Sequence, residues 1–456
     1  RCEAKTDITE IPANGHKMVY ADACDDINHL IRCSVCQKEE WGIHVFGDGE
    51  ESHTCTICGQ NFEFTDGLEY TLWWDGNSYA VSGIGTAQET EIIIPGVYNG
   101  KPVTSIDNYA FRECADLTRI TLGEGITSIG FYAFYNCDAL TSIVIPNNVT
   151  SIGYSAFRGC GNLEGKLIIP DSVTEIGSEA FSGCEKLENV IISSNLRGIG
   201  YAVFRDCSSL DNIIIPDSVQ SIGDTAFSNC DKLTNVIIGN GVTSIGNSAF
   251  SFCGKLTSVT IGNGVENIGS TAFFKSQSLT SVYINDIRAW CEINFDGGTS
   301  NPLYYAHDLY LNGVLVDNLF FLEGIGGIGQ YVFYNYSNLT EVVLPNTAIS
   351  IGAYAFSGCS GLTRLVIPNS VTEIGNYAFR DCSALTDMII PDSVTNIGER
   401  VFENCSSLKN VVLGSGIWRI DGYMFSGCVE LTSIVIPDSI TAIGNLAFNG
   451  CNALTD

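Results

Sequence analysis

The side chains of this chain that could do chemistry are mainly cysteines and histidines, and they fall into two groups. Six of the nineteen cysteines and four of the five histidines lie before Phe62. In this segment Cys33 and Cys36 form one Cys-x-x-Cys pair, and Cys55 and Cys58 form a second, with eighteen residues between the pairs. Each pair can present two thiolates to a tetrahedral ion, and such spacing is typical of structural zinc sites. The sequence therefore predicts a zinc ion bound by these four cysteines.

Two alternatives for this segment remain open. His29, His44 and His53 lie close enough in sequence to replace or supplement a thiolate. The same cysteines could instead form disulfides in an oxidising compartment. A catalytic zinc needs an open coordination position in a dry cleft, which a polar segment of this length is poorly suited to build, so we expect a structural metal. Residues 1–66 are accordingly assigned to a separate Cys/His-rich, zinc-ribbon-like module.

The second group of cysteines belongs to a repeated phrase, Ile-Gly-x-x-Ala-Phe-x-x-Cys. This phrase occurs fourteen times from Ile106 onward, mostly 23 residues apart, and a fixed period of this length predicts a solenoid. Cysteine fills the last position in twelve units, with Ser276 and Tyr336 as the exceptions. Because cysteine is among the most buried residue types, we expect small apolar core fillers. Runs of seven and five cysteines cannot pair off completely, which argues against a ladder of disulfides.

One unit shows which elements position these residues. Ile143-Val144-Ile145 predicts a strand, and Pro146 ends it because proline has no N–H to donate. The glycine of the phrase is aspartate at Asp107 and Asp421, so we expect this position to be the N-cap of a short helix that carries Ala-Phe-x-x-Cys. The phenylalanine of every unit would then stack in an inner ladder.

Strand alternation assigns the outward positions without a structure. With Ile143 and Ile145 inward, Ser142 and Val144 must face solvent. The second outward position is Val or Ile in ten of thirteen repeats, which predicts an exposed apolar stripe of the kind that marks interaction sites. The alternative is that β-branched neighbours simply support the sheet. Three members of this row are our candidate binding residues: Ile191, Ile214 and Ile237.

The regular spacing is interrupted between Ile268 and Ile328, where the step is 60 residues. We interpret this as one normal repeat followed by one of about 37 residues, with an irregular insert at about 285–325. A short helix is expected from Asp286, and Asn312-Gly313 predicts a two-residue hairpin turn. Long insertions often carry function, so the insert supplies further candidate binding residues, although the alternative is an outer flap whose aromatic rings pack onto the solenoid. These candidates are Trp290, Tyr304, Tyr305 and His307.

Residues 67–99 are assigned to a capping hairpin and a first strand. A repeat stack needs its first apolar layer covered, and Trp73 and Trp74 offer large apolar area for that purpose. An aromatic platform for sugars is the alternative. His307 is the sole histidine beyond His53, and it has no evident Ser or Cys nucleophile, so triad catalysis is not expected and we predict no catalytic residues.

Charge and hydropathy exclude several partners. Lys and Arg number 22 against 51 Asp and Glu, a formal charge of −29, which disfavours nucleic acid and anionic membrane surfaces. The sequence contains no run of eighteen apolar residues, so no membrane insertion is expected within this segment. The chain starts at Arg1 and stops within a repeat, so we expect a fragment of a longer protein, with end-to-end self-association at the uncapped C-terminal end.

The repeat consensus Leu-Thr-x-Ile-x-Ile-Pro-x-Ser-Val-Thr-x-Ile-Gly-x-x-Ala-Phe-x-x-Cys resembles the BspA-like leucine-rich repeats of bacterial surface proteins. The resemblance implies an α/β repeat solenoid over residues 100–456, a right-handed superhelix with a concave parallel β-sheet. It also implies a non-enzymatic, secreted or cell-surface protein that adheres to a protein or glycan ligand on a host or neighbouring cell. The alternative is an architectural spacer for a catalytic or anchoring domain outside this fragment.

The segment Glu10–His16, with the cysteine pairs that follow, resembles small Cys/His-rich repeats found ahead of surface domains in anaerobic gut bacteria. That resemblance implies metal binding as structure.

Overall fold

The computed structural model describes residues 64–320 and 324–455, and the backbone of three earlier strands. These strands, Met18–Cys24, Asn28–Cys33 and Glu39–Ile43, form an antiparallel sheet. Cys36, Cys55 and Cys58 lie outside the described residues, and only the backbone of Cys33 is described, so the zinc site stays a prediction. The chain divides into two compact units, residues 1–210 and 211–456.

Both units are β-solenoids in which each regular turn contributes two short strands. We call the strand before the Pro or Gly turn the A strand, and the strand that ends at the Ile of Ile-Gly the B strand. Each kind pairs in parallel with its equivalent in a neighbouring turn, as Ile213 does with Val236 and Ile222 with Ile245. One turn therefore adds one strand to an A sheet and one to a B sheet, and its Ile, Leu, Phe and Cys side chains fill the space between them.

The first unit begins with the hairpin Glu69–Leu72 and Tyr79–Gly83, whose second strand pairs in parallel with Lys101–Ile106. Val97–Tyr98 pairs antiparallel with Lys101–Ile106, which is also the first B strand. The A strands are Glu91–Ile93, Arg119–Thr121, Ser142–Ile143, Gly165–Ile168 and Leu187–Ile191. The later B strands are Ser128–Ile129, Ser151–Ile152, Glu175–Ile176 and Gly198–Ile199.

The second unit repeats this arrangement. Its A strands are Asn212–Ile215, Asn235–Ile238, Ser258–Thr260, Ser281–Ile284, Asp308–Leu311, Asn318–Phe320, Glu341–Val343, Arg364–Val366, Asp387–Ile389, Asn410–Val412 and Ser433–Val435. Its B strands are Ser221–Ile222, Ser244–Ile245, Asn267–Ile268, Asn294–Phe295, Gly327–Ile328, Ser350–Ile351, Glu373–Ile374, Asn396–Ile397, Arg419–Ile420 and Ala442–Ile443.

The prediction of a short helix after each glycine is wrong. Ala-Phe-x-x-Cys forms tight turns, and the single α-helix within residues 64–320 and 324–455 is Ile287–Glu292. Each turn places residues in the left-handed region on both sides of the Ala-Phe pair, such as Tyr109 at φ 65° and Glu113 at φ 61°. The N–H of Phe111 donates to the carbonyl oxygen of Ala133 in the next turn, at 2.8 Å. Amides that bond to a neighbouring turn cannot bond four residues back, so no helix forms.

The phenylalanine ladder predicted from the repeat is present in both units. Consecutive rings stack with centroids between 5.0 and 5.8 Å apart, as for Phe134 on Phe157 and Phe356 on Phe379. Every ring of the ladder from Phe111 to Phe425 is fully buried. Phe448, the last ring, is half-buried and stacks on Phe425. These stacked rings form a continuous part of the core between neighbouring regular turns.

The glycine after the B strand is explained by close approach of neighbouring backbones, not by helix capping. A Cβ on Gly153 would lie 2.6 Å from the carbonyl carbon of Gly130, and one on Gly375 would lie 2.5 Å from the amide nitrogen of Ala353. Real Cβ atoms do not approach backbone this closely. Neither glycine has a positive φ, so the requirement comes from packing between turns.

The irregular region continues the solenoid as lengthened turns and is not an outer flap. The helix Ile287–Glu292 follows the A strand Ser281–Ile284, with the carboxylate of Asp286 accepting from the N–H of Arg288. Phe295 then pairs beside Ile268, 27 residues earlier, and Ile328 follows 33 residues later. The step of 60 is therefore 27 plus 33, where we expected a regular repeat and one of 37.

Two short 3-10 helices, Gly298–Ser300 and Pro302–Tyr304, replace the usual turn in this region. The hairpin predicted at Asn312-Gly313 forms between Asp308–Leu311 and Val314–Leu315, with both turn residues at positive φ.

The tryptophans of the first hairpin do not form the apolar cover that the sequence predicts. Trp74 is 91% exposed and Trp73 is 43% exposed, so neither ring seals an apolar layer. The Nε1 of Trp73 donates to the hydroxyl of Ser105 at 3.2 Å. Stacking of the Tyr70 and Tyr98 rings, 3.8 Å apart, supplies the aromatic packing at this position.

Candidate functional site

The thiols of the repeats are structural in both geometry and chemistry. All thirteen cysteines among the described residues are unpaired thiols, and all are buried except Cys114 and Cys451, which are half-buried. Most of their sulfur atoms donate to the carbonyl oxygen of the phenylalanine in the preceding turn, as Cys137 does to Phe111 at 3.0 Å. Ser276 makes the same bond through its hydroxyl to Phe250 at 3.1 Å. The position thus favours a side chain that can donate a hydrogen bond, which the sequence reasoning missed.

Burial removes these thiols from nucleophilic chemistry. It raises the pKa of Cys137, Cys253 and Cys428 to about 12, from an ordinary value of 9.0. The thiolate is the reactive form, so these groups are neutral and inert near pH 7. Tyr336, in the other exceptional unit, bonds the carbonyl oxygen of Val316 through its hydroxyl, and burial raises its pKa to about 12.

The outward face of the A strands has the alternation that the sequence predicts. In the first unit the second outward position is exposed at Val144, Ile168 and Ile191, by 78%, 53% and 46%. In the second unit Ile214 is 60% exposed and Ile237 is 36% exposed. The row continues after the irregular turns through half-buried Val343 and Val366 to three exposed members: Ile389, Val412 and Val435.

The neighbouring outward row is polar, and many of its members bond to one another. The hydroxyl of Ser258 donates to Asn235 at 2.8 Å, and the amide of Asn410 donates to Asp387 at 2.7 Å. Glu341 forms a close ion pair with Arg364. Because these polar groups are hydrogen-bonded to one another, the apolar row is the part of the face whose exposure to water is unfavourable. An apolar row flanked by satisfied polar groups suits a docking surface better than a reaction centre.

The candidate residues of the irregular region are not brought together in one site. Trp290 is 1% exposed and packs edge-on against Phe295, so its ring is unavailable to a ligand. The Tyr304 ring stacks over Tyr334, with centroids 5.9 Å apart. The hydroxyl of Tyr305 accepts from the N–H of Lys275 at 2.9 Å.

His307 is exposed and lies beside the A sheet, where its carbonyl oxygen accepts from the side-chain amide of Asn338 at 2.6 Å. Asn301 is fully buried and donates to the carbonyl oxygens of Tyr331 and Val332. These polar contacts tie the lengthened turns to the regular ones, so most of this cluster serves the fold.

An aromatic ladder on the turns of the second unit was not foreseen. The rings of Tyr331, Tyr354 and Tyr377 stack at 4.9 and 4.5 Å, and the guanidinium of Arg400 lies 4.0 Å from the centroid of the Tyr423 ring. All these residues occupy the second position after the repeat glycine, where the sequence varies freely. Because the stacked rings cover one another's faces, the ladder presents edges and hydroxyls to solvent, which does not favour ring-on-ring binding of a ligand.

The described residues contain neither a cluster of metal ligands nor a membrane-spanning helix. Residues 64–320 and 324–455 contain no group of three or more His, Cys, Asp or Glu side chains arranged to hold a metal ion. No helix in the same ranges is long and apolar enough to cross a bilayer.

A family profile, the BspA type leucine rich repeat region, matches residues 90–211, 152–280 and 326–455, which is most of the chain. No match was found among curated proteins. Among solved structures, the chain is similar to a leucine-rich repeat protein from Bacteroides ovatus, at 24% identity, with 86% of this chain and 93% of that chain covered and a TM-score of 0.47.

Two further structures are similar. A leucine rich cell surface protein from Faecalibacterium prausnitzii is 25% identical, with coverage of 82% of this chain and 93% of that chain and a TM-score of 0.40. The pneumococcal vaccine antigen PcpA is 20% identical, with coverage of 84% and 93% and a TM-score of 0.42.

The buried thiols predict a loss of stability at alkaline pH. The unfolded chain releases the proton of Cys253 near pH 9.0, whereas the folded chain holds it to about 12. The folded state therefore binds more protons in that window, and its free energy of unfolding falls as pH rises. We expect Cys253→Ser, which keeps a donor as Ser276 does, to reduce the loss between about pH 9 and pH 11 by about 2 kcal/mol. The measurement is denaturant unfolding at both pH values.

Cys114→Ser is the control, because Cys114 is half-buried and should change the pH dependence less. An unchanged alkaline loss in Cys253→Ser would contradict the assignment.

Proposed function

Because the chain belongs to the BspA-type leucine-rich repeat family, we propose that it is a non-enzymatic, secreted or cell-surface protein that adheres to a protein ligand through the outward face of its A strands. The family suggests a binding or adhesion role in general. The observation that carries the specific proposal is the row of Val and Ile side chains that remains exposed on that face in each unit. Within a unit the row advances by about 4.8 Å per strand, so several strands make a long apolar stripe.

The stripe supports docking of a folded partner for two physical reasons. Burying an exposed Ile or Val side chain on binding gains roughly 25 cal/mol per Å², and several residues act together. The strands hold the side chains rigidly, so little conformational entropy is lost when a partner docks. The fold does not require exposed Val and Ile side chains in this row, since Thr121 and Thr260 occupy the same position in other A strands.

Charge narrows the class of partner. The formal charge of −29 disfavours polyanions such as nucleic acid. The polar row beside the stripe carries charges of both signs: Arg119, Lys166 and Arg364 as well as Glu341 and Asp387. A protein with apolar anchors and a rim of mixed polar groups fits this face best. We therefore favour a protein on a host or neighbouring cell as the ligand.

Zinc in the N-terminal module remains part of the proposal. The support is the spacing of Cys33, Cys36, Cys55 and Cys58, which is typical of a structural tetrahedral site. Such a site would stabilise the small module that precedes the solenoid and would take no part in ligand chemistry.

Replacing two residues of the stripe by threonine should weaken binding while preserving the fold. One variant carries Ile168→Thr and Ile191→Thr in the first unit, and another carries Ile214→Thr and Ile237→Thr in the second. The hydroxyl makes the surface polar while the β-branch suits the strand. We expect the affinity for an immobilised panel of extracellular matrix proteins, measured by surface plasmon resonance, to fall by about tenfold or more, as the loss of two apolar anchors requires.

The matched control is Ser142→Thr, which alters the polar outward row and should leave binding unchanged. The melting temperature of every variant is recorded. Loss of stability with unchanged binding would assign the stripe to sheet support. Enzymatic removal of glycans from the matrix proteins separates the ligand classes, since binding that vanishes with the glycans would overturn a protein ligand.

Metal analysis of the whole chain tests the zinc proposal. We expect about one zinc ion per chain, and cooperative loss of structure in residues 1–66 on chelation, because a site of this kind couples metal binding to folding. Absence of zinc together with four oxidised cysteines between Cys33 and Cys58 would replace the metal site by disulfides.

A further inference from the structure

A depression of about 700 Å³ lies on the B-sheet side of the second unit, away from the A strands. It extends over four successive turns, from Ser350 to Asp421. Its lining combines one large aromatic ring with charged and amide side chains: Glu373, Asn376, Asn396, Trp418, Arg419 and Asp421. None of these residues lies on an A strand.

Trp418 departs from the repeat at a position that is often threonine. In regular turns this threonine extends a ladder of hydroxyl-to-carbonyl bonds, as Thr395 does to Thr372 at 3.4 Å and Thr441 does to Trp418 at 3.2 Å. Trp418 cannot make that bond, and its ring is 60% exposed beside the depression. The repeat thus replaces a residue that serves the fold by an indole that projects into water.

The backbone also departs from the repeat at this position. The B strands from Gly327–Ile328 to Asn396–Ile397 form one sheet, and Arg419–Ile420 begins another with Ala442–Ile443. Asp421 stands where a turn normally has glycine, and a Cβ in a regular turn would meet backbone, as it would at Gly398, 2.5 Å from the amide nitrogen of Asn376. The B strand before Asp421 is not paired with the preceding B strand. The A strands of the same turns, Asp387–Ile389 and Asn410–Val412, stay paired.

The polar groups around Trp418 are arranged to meet hydroxyl groups. Arg419 and Asp421, which line the depression together with Trp418, form an ion pair between Nε and Oδ1 at 2.9 Å. Glu373 and Asn396 are exposed, and neither side chain hydrogen-bonds within the part of the chain that the structure describes. The Oδ1 of Asn376 accepts from the N–H of Glu399 at 3.0 Å, which orients its amide.

From this geometry we propose that the depression is a carbohydrate-binding groove that takes a neutral oligosaccharide, with Trp418 as the stacking platform. The apolar C–H face of a pyranose ring packs on an aromatic face, and its rim of hydroxyls bonds to planar carboxylate, amide and guanidinium groups. The groove supplies both kinds of partner within one depression. This site lies on the B-sheet side and does not depend on the proposed protein ligand of the A strands.

Other ligand classes fit less well. The two carboxylates of Glu373 and Asp421 outnumber the single guanidinium of Arg419, so an anionic sugar or a phosphate would be repelled. An aliphatic ligand would strip water from several polar groups without replacing their hydrogen bonds. A metal ion is not indicated, since no metal-holding cluster occurs within the described ranges.

Calorimetric titration of the full chain with single neutral hexasaccharides tests the proposal. The probes are cellohexaose, maltohexaose, mannohexaose, xylohexaose and chitohexaose, each up to millimolar concentration. A chondroitin sulfate hexasaccharide is the anionic comparison, and a basic hexapeptide tests for a peptide groove. We expect at least one neutral hexasaccharide to bind, with a change in tryptophan emission, and neither the sulfated sugar nor the peptide to bind as tightly.

The variant Trp418→Thr restores the residue common in other repeats, so it should fold normally. It should weaken binding of the neutral sugar by about tenfold or more. Trp74→Thr, at an indole that is 91% exposed elsewhere, is the matched control and should bind as the unaltered chain does.

Three outcomes would contradict the proposed carbohydrate site. The first is that no neutral hexasaccharide binds, and the second is that Trp418→Thr binds the sugar as tightly as the unaltered chain does. The third is that the sulfated sugar or the peptide binds more tightly than every neutral hexasaccharide. Because the A-strand variants leave Trp418 intact, loss of sugar binding in those variants would also place the site elsewhere.

Discussion

The close approach of each turn's backbone to the backbone of the turn before it is the constraint on which both units depend. The rings of the phenylalanine ladder lie between 5.0 and 5.8 Å apart, and most glycines after the B strands leave no room for a Cβ. The cysteine sulfurs extend the same contact, because most of them reach a carbonyl oxygen of the preceding turn. Interior positions therefore tolerate few residue types, and the sequence repeats because the contact repeats.

Positions outside this contact are where the chain can vary, and both proposed sites lie there. The A face keeps its apolar row although Thr121 and Thr260 indicate that the fold accepts a polar residue there. The groove near Trp418 occurs where the B strands separate and a glycine is replaced by Asp421. One face uses the regular repeat to build a long surface, and the other uses a local departure to build a concave one. This division is a physical reason to expect two kinds of ligand.

Much of the fold follows from the sequence because it depends on period and alternation. Inward Ile143 with outward Val144 follows from strand geometry, and the burial of Phe157 and Cys160 follows from their recurrence. The prediction of a helix after each glycine was wrong because the five-residue phrase Ala-Phe-x-x-Cys does not distinguish a helical turn from one whose amides bond to the next repeat. Lengthened turns were misjudged since Phe295 replaces the isoleucine that marks a B strand. Trp418 was missed because several units depart from threonine at this position, and only the structure shows that this one is exposed beside a depression.

Glycine-to-alanine substitution tests the central constraint most directly, because the two possible explanations predict opposite signs. At Gly375, whose φ is not positive, alanine would ordinarily stabilise the chain by about 0.4 to 1 kcal/mol through the unfolded state. Contact with the backbone of Ala353 instead predicts a loss of about 1 to 3 kcal/mol in the free energy of unfolding of Gly375→Ala. Gly254, which has open space around it, is the control, and Gly254→Ala should be neutral or stabilising. Equal, small effects at both positions, measured by denaturant unfolding, would contradict the account.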